Sequence, residues 1–118
     1  MQRSALLILP ALVLSTANAD AHAFLDHAEP RVGSSVGSAP RALSLWFTQN
    51  LEPAFSTVQV VNAAGARVDQ GKARLGSEPN LLQIGLKPLP PGTYKVYWRV
   101  LSVDTHTSEG NFSFRVGQ

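Results

Sequence analysis

The sequence contains no cysteine. That excludes disulfide stapling, thiolate zinc centres and copper centres built on a Cys ligand. Its one methionine is Met1, so the rest of the chain offers no soft sulfur ligand. Charge is sparse, with 15% of residues charged and a net +2. Nine of the basic residues, from Arg31 to Arg115, are scattered singly. A nucleic-acid binder would gather them on one face or in a run. No apolar run approaches the roughly 20 residues that span a bilayer. Internal repeats, low-complexity tracts and long linkers are also missing, and no window sustains a helical 3.6-residue period.

What is present begins with an export-like leader. Arg3 supplies a positive start, and Ala5 to Leu14 (ALLILPALVL) is a ten-residue apolar stretch broken by Pro10. Small and polar residues follow from Ser15 to Ala21. This order of charge, apolar run and small residues is that of a signal peptide. Residues 1–21 are therefore expected to be removed. That leaves a single domain over 22–118, 97 residues with nine basic and seven acidic side chains. Such a domain, exported and without disulfides, must rely on its apolar core.

The mature segment reads as all-β. Leu43-Ser44-Leu45-Trp46-Phe47 alternates with Leu43, Leu45 and Phe47 on one face, and Leu82-Gln83-Ile84-Gly85-Leu86 is another alternating segment. Val58-Gln59-Val60 is a short strand closed by the turn Asn62-Ala63-Ala64-Gly65. Pro88-Leu89-Pro90-Pro91-Gly92 bars any helix. It leads into the longest expected strand, Thr93 to Val103. There Tyr94, Val96, Trp98 and Val100 share one face, and Lys95, Tyr97 and Arg99 the other. Phe112, Phe114 and Val116 form a last apolar face, and Ser34 to Pro40 reads as a loop. Short strands between Gly/Pro turns predict a two-sheet sandwich. Pro-Gly-Thr-Tyr ahead of Trp98 is an immunoglobulin-like cue. The aromatic set Trp46, Phe47, Phe55, Tyr94, Trp98, Phe112 and Phe114 is expected mainly in the core.

Candidate chemistry rests on three histidines, His22, His27 and His106. His106 closes Ser102-Val103-Asp104-Thr105-His106 at the end of the long strand. If that backbone is extended, Asp104 and His106 point the same way and can converge on one ion. If it is a turn, Asp104 bonds nearby N–H groups and His106 is merely exposed. The leader adds weight to a metal. Ala19-Asp20-Ala21 is an A-x-A site, and cutting after Ala21 makes His22 the first residue. Its free amine and imidazole can then close a chelate ring. The amine has a low reference pKa, about 7.7–8.0, so a metal readily displaces its proton. With Asp104 and His106 the set is three nitrogens and one carboxylate oxygen, which suits Cu(II). Zinc also accepts such donors, but the affinity order favours copper. Ala17-Asn18-Ala19 is a second A-x-A site. Cutting there leaves Asp20-Ala21-His22, which resembles the amino-terminal copper/nickel-binding motif and would not need Asp104 or His106.

The sequence is similar to the periplasmic copper resistance protein CopC family across 22–118. The carriers are the His22 start with Glu29-Pro30, Leu45-Trp46-Phe47-Thr48-Gln49-Asn50-Leu51, Pro91-Gly92-Thr93-Tyr94-Lys95-Val96-Tyr97-Trp98, Ser102-Val103-Asp104-Thr105-His106 and Phe112-Ser113-Phe114-Arg115-Val116. The resemblance implies an immunoglobulin-like or cupredoxin-like Greek-key β-sandwich of about seven strands. It implies Cu(II) held by His22 (amine and imidazole), Asp104 and His106. Two departures stand out. Some members carry a Met-rich loop for Cu(I), and this chain has no methionine beyond Met1. Some have a Glu near copper where Gln49 stands, so one anionic contact is lost. His27 matches no family ligand and reads as an exposed surface residue. Glu29 reads as a turn residue before Pro30, and Glu109 as solvent-facing.

The implied function is a periplasmic carrier that sequesters or passes Cu(II) by ligand exchange, supporting copper tolerance without catalysis. Its partner would be an inner-membrane copper importer or another periplasmic cuproprotein, with neither nucleic acid nor stable membrane insertion involved. An alternative is an oxidising enzyme, because a terminal His plus a second His resembles the histidine brace of copper monooxygenases. A third is a sandwich that binds another protein and no metal.

Overall fold

The alternation from Tyr94 to Val100 makes one long strand the centre of the molecule. Tyr94, Val96, Trp98 and Val100 are buried, while Lys95, Tyr97 and Arg99 face solvent. A computed structural model describes residues 23–117. Within it eight strands form in chain order. They are β1 (Leu25–Glu29), β2 (Ser35–Val36), β3 (Ala42–Phe47), β4 (Thr57–Val61), β5 (Arg74–Leu75), β6 (Leu81–Gly85), β7 (Gly92–Leu101) and β8 (Thr107–Val116). Two of the eight have only two residues, so the count differs little from the expected seven.

The strands make two four-stranded sheets, ordered β1-β3-β6-β5 and β2-β8-β7-β4. Pairing is antiparallel except for β2 beside β8. The inner faces meet as one apolar core. Leu43, Leu45 and Phe47 come from β3, Leu82 and Ile84 from β6, and Phe112, Phe114 and Val116 from β8. Each such side chain contributes about 1.5–3 kcal/mol on full burial. Edge-to-face packing of Phe47 on Trp98, with ring centroids 5.1 Å apart, ties the two sheets together. The Tyr94 hydroxyl donates to the Pro90 carbonyl at 2.5 Å, fixing the entry to β7.

Several sequence expectations need correction. Trp46 and Phe55 are not core residues. Trp46 lies on the outer face of its sheet, because its neighbours Leu45 and Phe47 take the inner positions. Phe55 is 69% exposed in a single 3-10 turn, Pro53–Phe55. The Ser34–Pro40 segment is not all loop, since Ser35–Val36 pairs with Arg115–Val116. Glu29 ends β1, paired with Ser44, before the turn begins. Strand β7 stops at Leu101 rather than Val103, and β8 starts at Thr107.

The early end of β7 has a local cause. Strand β4 reaches only as far as Arg99, through Thr57. Beyond it, the Leu101 N–H donates to Ser56 Oγ at 3.1 Å. The Leu101 carbonyl accepts from the Glu52 N–H at 2.9 Å. The 50–56 segment therefore takes over from β4, and the chain is released into a turn.

Candidate metal site

Residues 102–106 form the tight connection between β7 and β8, whose last pair is Leu101 with Thr107. The Ser102 N–H donates to the His106 carbonyl at 2.9 Å, and the Thr105 N–H to the Ser102 carbonyl at 2.9 Å. Thr105 takes a left-handed φ of +71°, which reverses the chain. That is an uncommon conformation for a β-branched residue. Asp104 and His106 are therefore not brought together by strand alternation. They converge because the turn folds one back on the other, with His106 Nδ1 3.6 Å from Asp104 Oδ1. Both side chains are about half exposed, at 46% and 50%.

Ser102 organises this loop. It is fully buried, and its hydroxyl donates to Asp104 Oδ1. Ser102 Oγ in turn accepts from the His106 N–H at 3.3 Å and stands 3.2 Å from the His106 carbonyl oxygen. The Ser102 bond is the main reason the Asp104 carboxyl sits below its usual pKa, against the opposing pull of desolvation and with help from His106. Asp104 is thus an ionised oxygen donor beside an imidazole at neutral pH.

Two further segments meet the hairpin at this end of the sandwich. The Val103 N–H donates to the Asn50 carbonyl at 3.0 Å, and Leu51 bridges to Ser102. Gln49, partly buried, is the residue before Asn50. The amino-terminal segment meets both Thr48, just ahead of Gln49, and β8. Ala23 is fully buried, and its carbonyl accepts from Ser108 Oγ. The Phe24 N–H donates to Thr48 Oγ1 and the Phe24 carbonyl accepts from the Thr48 N–H, both at 2.9 Å.

His22, the third expected ligand, lies outside the described residues, as do the leader and both cleavage sites. Among the described residues no three His, Cys, Asp or Glu side chains come together as a metal cluster. Asp104 and His106 stand as a pair of oxygen and nitrogen donors, a chemistry that borderline divalent metals accept. His27 does not join them. It projects from β1 onto Trp46, stacked at 4.4 Å and 9°, with Nδ1 2.7 Å from Asp26 Oδ2. Glu109 is exposed, as expected. Ser102 and Thr48 stood in the sequence motifs without a role of their own, and Ser108 was missed. For Ser108 a signal existed, a hydroxyl on the same alternating row as Phe112, Phe114 and Val116.

A two-sheet β-sandwich with an exposed Asp/His turn near the buried Ala23 defines the class of domain. Residues 25–117 match the family model of the CopC domain, and the chain belongs to that family. It is 37% identical over 111 residues to Copper resistance protein C of Pseudomonas syringae pv. tomato, covering 88% of this chain and 87% of that protein. The crystal structure of CopC from Methylosinus trichosporium OB3b superposes with a TM-score of 0.76 at 33% identity, over 80% of this chain and 93% of that one. PcoC, a methionine-rich copper resistance protein from Escherichia coli, gives a TM-score of 0.72 at 34% identity, over 80% and 98%. No helix among the described residues is long and apolar enough to cross a membrane.

Proposed function

We propose that this chain is an exported carrier of Cu(II), cut after Ala21 and working in the periplasm as the domain 22–118. One Cu(II) is held by the His22 amine and imidazole together with Asp104 and His106. The observation that supports this reading is the bond from Ser108 to the Ala23 carbonyl. Ala23 is one peptide bond from His22, and Ser108 is two residues beyond His106. Two ligand-bearing segments, far apart in sequence, thus share one end of the fold.

The donor set fits the cargo. Imidazole, amine and carboxylate are ligands that Cu(II) takes well, and the chain has no sulfur ligand for Cu(I) after Met1. An ionised Asp104 favours the oxidised ion, which argues for transport over oxygen activation. Half exposure of Asp104 and His106 lets a partner's ligands displace them while the terminal chelate still holds. That partner is an inner-membrane copper importer or another periplasmic cuproprotein.

Equilibrium dialysis tests the reading. The 22–118 form should retain one Cu(II) per chain in competition with zinc. His106→Ala, and a form with one extra residue before His22, should each lose it. Undiminished copper binding by both variants would refute the ligand assignment.

A further inference from the structure

Residues 108, 110, 112, 114 and 116 of β8 lie on one row and read Ser, Gly, Phe, Phe and Val. Phe112, Phe114 and Val116 fill the core. At the other end of the row the residues become small, for two separate reasons. A Cβ on Gly110 would meet Trp98 Cζ2 at 2.5 Å, so glycine leaves room for that ring. Ser108 stands opposite the fully buried Val100, where an apolar residue would ordinarily sit. Its hydroxyl reaches across 85 residues of sequence to the Ala23 carbonyl.

We infer that Ser108 is a positioning residue for the copper site: it docks Ala23, the residue after the proposed ligand His22, against β8 beside the Asp104–His106 turn. The inference rests on the copper reading above and adds to it a device that acts before metal arrives. A chain terminus is ordinarily among the least ordered parts of a domain. Here Ala23 is fully buried and Phe24 is bonded twice to Thr48. The ordering is done by the fold and not charged to the metal, the general route by which a prearranged site gains affinity. Groups that orient ligands without touching the metal typically matter by 10–100-fold in affinity.

The test begins without metal. Amide hydrogen exchange at Phe24 in the 22–118 protein should be at least about tenfold faster in Ser108→Ala than in wild type, with core amides unchanged. Cu(II) affinity, read by competition with a chelator, should fall about 10–100-fold. The Cu(II) electron paramagnetic resonance spectrum should change, and Ser108→Thr, which keeps the hydroxyl, should restore both. If Ser108→Ala loosens the whole core, Thr48→Val carries the test through the adjacent Phe24 bond, with the same signs. Wild-type exchange at Phe24 and a wild-type affinity in the folded variant would overturn the inference. His106→Ala separates the two levels. If it too binds copper normally, the site assignment fails. If it loses copper while Ser108→Ala does not, only the positioning role fails.

Discussion

Replacing Asp69 by alanine should destabilise the domain by about 3 kcal/mol, and the structure says where that cost arises. The Asp69 side chain is 1% exposed. It accepts from the N–H groups of Val60 and Gly71 and from Arg67 Nε and Nη2, each at 2.8 Å. Val60 is fully buried in β4. Losing its acceptor strands a buried donor, at about 1–3 kcal/mol. Gly71 lies at an exposed position and recovers part of its bond from water. Arg67 is 45% exposed, so its own pairing adds no more than about 1 kcal/mol. For a domain of this size the sum lowers Tm by roughly 12–24 °C. Asp69→Asn, which keeps an oxygen but no charge, should fall between wild type and Asp69→Ala.

Acid adds an independent arm to that experiment. Burial raises the Asp69 pKa, but the bonds from Arg67, Val60 and Gly71 outweigh it, and the net shift is downward. A depressed native pKa gives stability that is complete above the unfolded value, about 3.9, and is lost as pH falls through the native value. The gap between wild type and Asp69→Ala should therefore be flat from pH 7 to about 5 and narrow below about 4. Calorimetry or urea titration at several pH values measures it. An Asp69→Ala variant within 1 kcal/mol of wild type, or a gap that widens in acid, would refute the reasoning.

Three other outcomes follow from the same contacts. Gly110→Ala puts a methyl 2.5 Å from the Trp98 ring. It should cost about 1–3 kcal/mol in urea unfolding and shift the tryptophan emission. Tyr94→Phe removes the hydroxyl that holds Pro90 and should cost about 0.5–1.5 kcal/mol by the same assay. Gln49→Glu adds a carboxylate next to Asn50, whose carbonyl holds the hairpin through Val103. Chelator competition should show severalfold tighter Cu(II) binding, and unchanged or weaker binding would remove residue 49 from the metal's surroundings.

Much of the sandwich was legible because its strands are half-buried. Tyr94 to Val100 and Phe112 to Val116 state their inner faces by simple alternation. Trp46 and Phe55 misled because an aromatic side chain also serves on an outer face or in a turn. Trp46 does so by stacking on His27. The Asp104–His106 pair was legible as residues but not as geometry. Strand alternation and a tight turn both bring i and i+2 together, and only the left-handed Thr105 and the bonds from Ser102 decide for the turn. The burial of Asp69 was not legible, because two of the N–H groups it accepts from belong to Val60 and Gly71, one of them nine residues away. The Ser108–Ala23 bond was beyond reach, since nothing local links residues 23 and 108.

Native mass spectrometry of the protein recovered from the periplasm, with and without added copper, bears most directly on the central claim. The recovered chain should start at His22 and gain the mass of one copper ion, and an Asp104→Ala/His106→Ala double variant should show the same start and no gain. A product that keeps residues ahead of His22, or a double variant that still takes up copper, would contradict it.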